Sequence, residues 1–307
     1  MGGPMSASVS SMSADPAGPA CWVSVHVYYH HPADELLRAA IGPLVRRSEA
    51  AGTLRTWFFL RHWQGGPHLR LRLGPARPGD DESLRQTAIG DLEAYLRERP
   101  STKDFPVGAY AEVAAGLAAL EPGSGPVEPM APNNSLRLVD YDPSAGPVWT
   151  TPAPVAQASS RVALSLLDAA MPPGRRIRVA LAHLAIAAAA LAGTPDEALR
   201  RLAGSYELWG APLLGAHRRA FEVRFSRLAQ RGSGLRARLP GLLTTPATGR
   251  WGECVRALVA AAAPDMPPGR TWYWLHTHCN RLGLSLPEEA YAHFLLADSA
   301  RTIGGIP

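Results

Sequence analysis

The chain has 307 residues, 46% of them hydrophobic and 19% charged, which supplies one large core or two small ones and excludes an intrinsically disordered protein. Its net charge of +5 and pI near 9.4 rest on arginine, because only Lys103 among the 31 basic residues is a lysine. No basic helix, zinc knuckle or aromatic-basic RNA motif accompanies that charge, so nucleic acid is set aside and an acidic peptide is the more economical partner.

Residues 1–20 are rich in Ser, Pro, Gly and Ala and lack both a basic start and an apolar stretch of signal-peptide length; they read as a disordered tail before a single domain at 21–307. Trp22 to Tyr29 alternates like a strand, Ala33 to Ala51 has helical apolar spacing, and two more alternating runs follow, a ferredoxin-like β-α-β-β opening. Asp80-Asp81-Glu82 opens a helix to about Arg99, with its acids at the positive end of the helix dipole. Residues 121–154 are crowded with Pro and Gly around one more strand, Ser135 to Tyr141, and are where an internal boundary would fall. Val155 to Ala170, Arg175 to Leu191, Asp196 to Trp209, Leu214 to Arg231 and Gly249 to Ala263 then read as consecutive helices. The fold class is α+β, with a predominantly helical C-terminal half. Val179 to Leu191 is too short to span a bilayer and contains His183, so it reads as a buried helix and gives no role to a membrane. Cys21, Cys254 and Cys279 are odd in number and scattered, which fits a reducing cytoplasm.

The stretch from Trp57 to Leu73 is the most informative, because two alternating runs flank Gly65-Gly66 in the manner of a β-hairpin. A two-residue turn there sets Trp63 opposite His68, Arg61 opposite Arg70 and Phe59 opposite Arg72 on one face. Phe58, Leu60, Leu69, Leu71 and Leu73 then form the core face, with His62 at its rim. Arg61 facing Arg70 is repulsive unless carboxylates, carbonyls or an anionic ligand separate them, and both internal acids and an acidic partner meet that need.

Several chemistries lack their residues. His276-x-His278-Cys279 has no second ligand cluster to complete a zinc site. No Gly-x-Gly-x-x-Gly follows a strand, no Walker sequence occurs, and Gly123-Ser124-Gly125 and Gly232-Ser233-Gly234 read as loops rather than nucleophile elbows.

Phe58-Phe59-Leu60-Arg61-His62-Trp63 with Gly65-Gly66-Pro67-His68-Leu69-Arg70-Leu71-Arg72 resembles the N-terminal signature of the glutamate-elimination domain of lantibiotic dehydratases and of the related stand-alone thiopeptide-biosynthesis proteins. Roughly 200 residues downstream, His276-Thr277-His278-Cys279-Asn280-Arg281-Leu282-Gly283 resembles the His-x-x-Asn-Arg-Leu-Gly segment of the same superfamily. The resemblance spans residues 22–300. It implies a cytoplasmic protein whose partner is a ribosomally made precursor peptide, with an often acidic leader and a modified core. A homodimer stays open beside a monomer.

Elimination domains usually carry a central Tyr-x-x-Glu followed by Arg-Tyr-Gly-Gly, where this chain has Tyr141-Asp142-Pro143-Ser144-Ala145-Gly146-Pro147. Ser285 followed by Tyr291 resembles the serine and tyrosine of the thiopeptide pyridine synthases, one branch of the superfamily. That branch implies a formal aza-cycloaddition between two dehydroalanines of an azole-containing precursor, then loss of water and expulsion of the leader, without metal or redox cofactor. Tyr291, Ser285 and His278 are the expected proton-transfer residues. Arg61, Arg70, Arg72 and His68 are expected to bind the peptide, with Trp63 or Phe59 against azoles and Asn280 and Arg281 beside them. Ordinary roles also exist: Ser285 and Glu288 form a capping-box pattern, Tyr291 suits a half-buried helix position, and Trp272 and Trp274 suit a core. The alternatives are a stand-alone glutamate-elimination component, for which Arg70, Arg72 and His278 supply cations and a base, and a non-catalytic leader-binding scaffold.

Overall fold

The computed structural model of the protein describes residues 22–30, 32–120, 126–142, 150–229 and 234–306. The expected tail, Cys21, the Gly123–Gly125 loop and most of the Tyr141–Pro147 stretch lie outside the described residues.

The first half runs β1 (Val23–Tyr28), α1 (Asp34–Leu36), a π turn at Leu37–Ile41, α2 (Gly42–Ala50), β2 (Leu54–His62), β3 (His68–Pro75), α3 (Asp80–Glu98), α4 (Val107–Leu120) and β4 (Ser135–Leu138). The sheet order is β2-β3-β1-β4 with every pairing antiparallel, which is the ferredoxin-like arrangement. Alternation sends Val23, Val25 and Val27 of β1 and Leu69, Leu71 and Leu73 of β3 to one face, where they pack with Leu36, Leu37, Ile41 and Leu44 and with Leu84 and Leu92 of α3. The opposite face carries Ser24, His26 and Tyr28, and, from β3, His68, Arg70 and Arg72.

The hairpin forms where expected, but its register differs by one residue. His62 pairs with His68, so Trp63 to Pro67 make the connection, and Phe59 lies across from Leu71, Arg61 from Leu69, Phe58 from Arg72 and Leu60 from Arg70. Within the loop the Gly66 N–H donates to the Trp63 carbonyl at 2.9 Å, and positive φ values of 79° and 102° at Gly65 and Gly66 explain the glycine pair. A one-residue shift exchanges the two faces of a strand. It sends Trp57 and Phe59, at 2% and 0% exposure, into the main core, while Phe58 is buried on the other face against Trp22 and Tyr141. Phe59 is thus a core residue, Arg61 sits on the core face, and Trp63 lies in the turn, stacked 5.6 Å from His62.

The second half comprises α5 (Ala153–Asp168), α6 (Arg176–Ala192), α7 (Pro195–Ser205), α8 (Arg218–Ala229), α9 (Gly234–Thr244), α10 (Gly249–Ala261), α11 (Pro268–Leu282) and α12 (Leu286–Gly304). α4 and α9 are additions to the sequence reading; α9 carries Pro240 inside it, a residue that argues against a helix. Buried side chains from the sheet, α3, α5 to α7 and α9 to α12 form one contiguous hydrophobic cluster, and Phe225 of α8 packs in a second one with Tyr206, Leu214 and Ala290. No described helix is long and apolar enough to cross a membrane.

Candidate active site

β2 is an edge strand, and its outward backbone groups need partners. α5 and α11 supply them. Asn280 accepts the Arg61 N–H and donates to the Arg61 carbonyl, both at 2.9 Å, as a neighbouring strand would. Arg281 Nε donates to the Phe59 carbonyl at 2.9 Å, and the Phe59 N–H donates to Ser160 Oγ at 3.2 Å. The two motifs far apart in sequence are therefore one structural unit, in which the α11 motif caps the hairpin edge. Arg61 adds an ion pair to Asp34 at 2.7 Å, which Arg176 also contacts. Burial would raise the Asp34 carboxyl, but the two guanidiniums outweigh it and hold it below its usual range.

The polar face of the sheet gathers three imidazoles and three guanidiniums. His68 lies 4.9 Å from His26, 5.3 Å from His62 and 4.6 Å from Tyr28, ring centre to ring centre. Arg70 Nε donates to His68 Nε2 at 3.3 Å, which leaves the His68 Nδ1 proton to bond the Gly66 carbonyl at 2.8 Å. Arg72 donates to His26 Nε2 at 3.2 Å and lies over the Tyr141 ring at 4.8 Å. Burial, then the arginines, push His26 down to about 2 and His68 to about 4 and lower His62 further, so all three imidazoles are neutral. Arg137 pairs with Glu128, whereas Arg72 meets no carboxylate among the described residues. Burial lowers Arg72 to about 10, and it remains charged at neutral pH.

α11 separates its histidines. His278 is buried, with Nδ1 bonded to Ser159 Oγ and Nε2 to His183 Nδ1, each at 2.9 Å, and it stacks on Trp251. Arg281, 1% exposed, donates to Ser159 and Thr277, and its Nη2 has no partner. The Ser159 hydroxyl has one proton and two lone pairs, so it accepts from Arg281 and satisfies His278 Nδ1 in either imidazole tautomer. His276 lies instead on the half-exposed stripe with Tyr273 and Asn280. Its Nδ1 bonds Glu289 Oε2 at 2.9 Å, and the other oxygen of this 1%-exposed carboxylate accepts the Trp209 indole N–H at 3.0 Å. A buried carboxylate on Nδ1 orients the ring and favours the tautomer that carries its proton on that nitrogen.

Ser285 is the N-cap of α12, and its N–H and Oγ both bond Glu288 Oε2 at 2.8 Å; the residue is exposed. Tyr291 packs 4.9 Å from the Phe225 ring, and burial raises its phenol above the usual value, which keeps it a proton donor. Ser285 is thus engaged in the cap, in extended backbone, while Tyr291 lies within the helix against α8.

The family described as lantibiotic biosynthesis dehydratase C-term matches residues 22–300. The chain belongs to that family. Among solved structures it is similar to the pyridine synthase TbtD from thiomuracin biosynthesis, at 23% identity and a TM-score of 0.75 over 94% of this chain and 100% of that one. It is also similar to TsrL, at 17% identity and 0.62 over 92% and 94% of the two chains. The tRNA-dependent lantibiotic dehydratase MibB from Microbispora sp. 107891 follows at 23% identity and 0.50, over 94% of this chain and 28% of that one. No curated protein sequence matches the chain.

Within this family member the expected site residues divide into three groups. His68, Arg70 and Arg72 share the polar sheet face. Phe59, Arg61, Asn280 and Arg281 hold β2 against α11, and His278 is internal. Ser285 caps α12, and Tyr291 packs against Phe225 of α8. Sequence reasoning missed the His276–Glu289 pair; the signal was a histidine one turn before the Asn280 stripe and an acid in the first turn of the next helix, but nothing in either run ties them together. Among the described residues no group of three or more His, Cys, Asp or Glu side chains is placed to hold a metal ion.

Proposed function

We propose that the protein is a pyridine synthase of thiopeptide biosynthesis. The observation that carries this reading is the match to TbtD over that protein's whole length, together with Tyr141-Asp142-Pro143-Ser144 standing where elimination domains usually carry their acidic-arginine pattern. The substrate is a ribosomal precursor peptide bearing azoles and dehydroalanines, and the reaction joins two dehydroalanines into a six-membered ring, then expels water and the leader. The problem is mainly one of positioning, since bringing two flexible alkenes together can supply roughly 7 to 11 kcal/mol of the barrier.

The residues take these roles in the proposal. Arg72 and Arg70, with His68, hold carboxylates of the peptide; a buried guanidinium that meets no acid among the described residues suits that task. His276, oriented by Glu289, takes the amide N–H proton of one dehydroalanine and returns it to the carbonyl oxygen, which gives the iminol tautomer. Tyr291, kept protonated by burial, donates during aromatisation, and Ser285 stands at the rim. His278 and Arg281 act indirectly, as positioning residues that fix the hairpin against α11. Glutamate elimination is the second reading, favoured by the same Arg72, which would equally suit a departing glutamate carboxylate.

Incubating purified protein with dehydrated, azole-containing precursor tests the proposal: pyridine chromophore and free leader should appear in equal amounts. Precursor that returns intact from a folded, peptide-binding preparation would sink it.

A further inference from the structure

α8 has two faces of opposite character. Phe225 is buried and Phe221 half-buried on the inner face, where Phe225 meets Tyr291 and Phe294. The outer face is the stripe Ala220, Val223, Arg224, Arg227 and Leu228, spaced i, i+3, i+4, i+7 and i+8, and every one of these residues is exposed. They line an open groove of about 390 Å³. Val223 and Leu228 are 50% and 38% exposed, so two branched apolar side chains stand in water a turn and a half apart. Arg218 is satisfied by Glu207 and Glu222, but Arg219, Arg224 and Arg227 meet no carboxylate among the described residues. The interleaved phenylalanines hide this basic stripe in the sequence.

We propose that the outer stripe of α8 docks an acidic amphipathic peptide helix, whose apolar side chains enter the groove between Val223 and Leu228 while its Glu or Asp side chains meet Arg224, Arg227 and Arg219. Charge complementarity selects this occupant: the groove offers cations in fork geometry around apolar centres at helical spacing, the pattern of helix-in-groove recognition. A membrane surface fits less well, because the bulky aromatics of α8 point inward and leave only Ala220, Val223 and Leu228 to insert. Single-stranded nucleic acid fits less well, because the stripe offers no aromatic ring for a base. The inference stands independently of the reaction assigned above.

Fluorescence anisotropy tests it with a short fluorescein-labelled peptide designed as a helix, with leucines on one stripe and glutamates beside them. R224E with R227E, and separately Val223→Ser with Leu228→Ser, should each weaken binding by about tenfold or more, and added salt should weaken the parent. Replacing the peptide's leucines by serine should have a similar effect. All four substituted residues are exposed, and circular dichroism melts verify folding; if one double variant fails to fold, the other decides. No binding by the parent, unchanged affinity in a folded double variant, equal binding of the leucine-free peptide, or displacement of the peptide by phosphatidylglycerol vesicles or single-stranded DNA at lower concentration would each overturn the proposal.

Discussion

At the scale of single residues, the two histidines of the α11 motif have different work. His278 is locked at both nitrogens inside the protein, and burial, then His183 and Arg281, hold it well below its usual range. His276 reaches solvent and leans on a buried carboxylate. His276→Gln should therefore lower turnover roughly 100-fold with an unchanged melting temperature, whereas His278→Ala should cost about 2 to 4 kcal/mol of stability through a cavity and orphaned partners. Steady-state kinetics and thermal melts on both variants separate the roles. Arg72 supports a second prediction. A buried guanidinium that meets no carboxylate among the described residues is a burden on folding, so Arg72→Met should melt at the same temperature or higher while binding precursor about tenfold more weakly. Equal affinity by anisotropy would remove Arg72 from the peptide site.

At the scale of elements, the central device is the capping of β2 by α11 and α5. Asn280 serves both backbone groups of Arg61, so Asn280→Ala leaves a donor and an acceptor at a half-buried edge, and denaturant unfolding should show a loss of about 2 to 4 kcal/mol. Asn280→Asp should recover little, because a carboxylate accepts the N–H but cannot donate to the carbonyl. The hairpin also marks where sequence legibility ends. Alternation on either side of Gly65-Gly66 located both strands, but a strand period of two makes neighbouring registers look alike, with Trp57-Phe58-Phe59-Leu60 apolar in both phases. Loop length decides the register, and it depends on the glycine conformations and on Tyr110, whose Oη accepts the Gly65 N–H at 2.7 Å from α4, a helix outside the sequence reading. The capping box at Ser285 was legible because its partners are three residues apart; the Glu289–His276 pair was not, since it needs the crossing of two helices.

At the scale of the molecule, the fold keeps an unusual number of imidazoles neutral. Burial lowers His26, His62, His68, His183, His278 and His293, with His183 at about 3 and His293 at about 4. The unfolded chain binds protons at these sites below about pH 6.5 while the folded chain does not, so stability is full above that pH and falls as the pH drops toward the folded values. Each histidine should contribute on the order of 1 kcal/mol per pH unit in that window, and urea midpoints should decline steeply from pH 6.5 to 5. A flat profile would mean that these rings are charged or hydrated in the folded protein. The reaction is the larger question for the whole chain, and parallel incubations with two forms of one precursor, followed by mass spectrometry, address it most directly. The azole-containing, dehydroalanine-bearing peptide should be converted to a macrocycle with release of its leader, and the glutamylated Ser or Thr peptide should be returned unchanged. Loss of glutamate from the second peptide, with no macrocycle from the first, would contradict this and establish elimination.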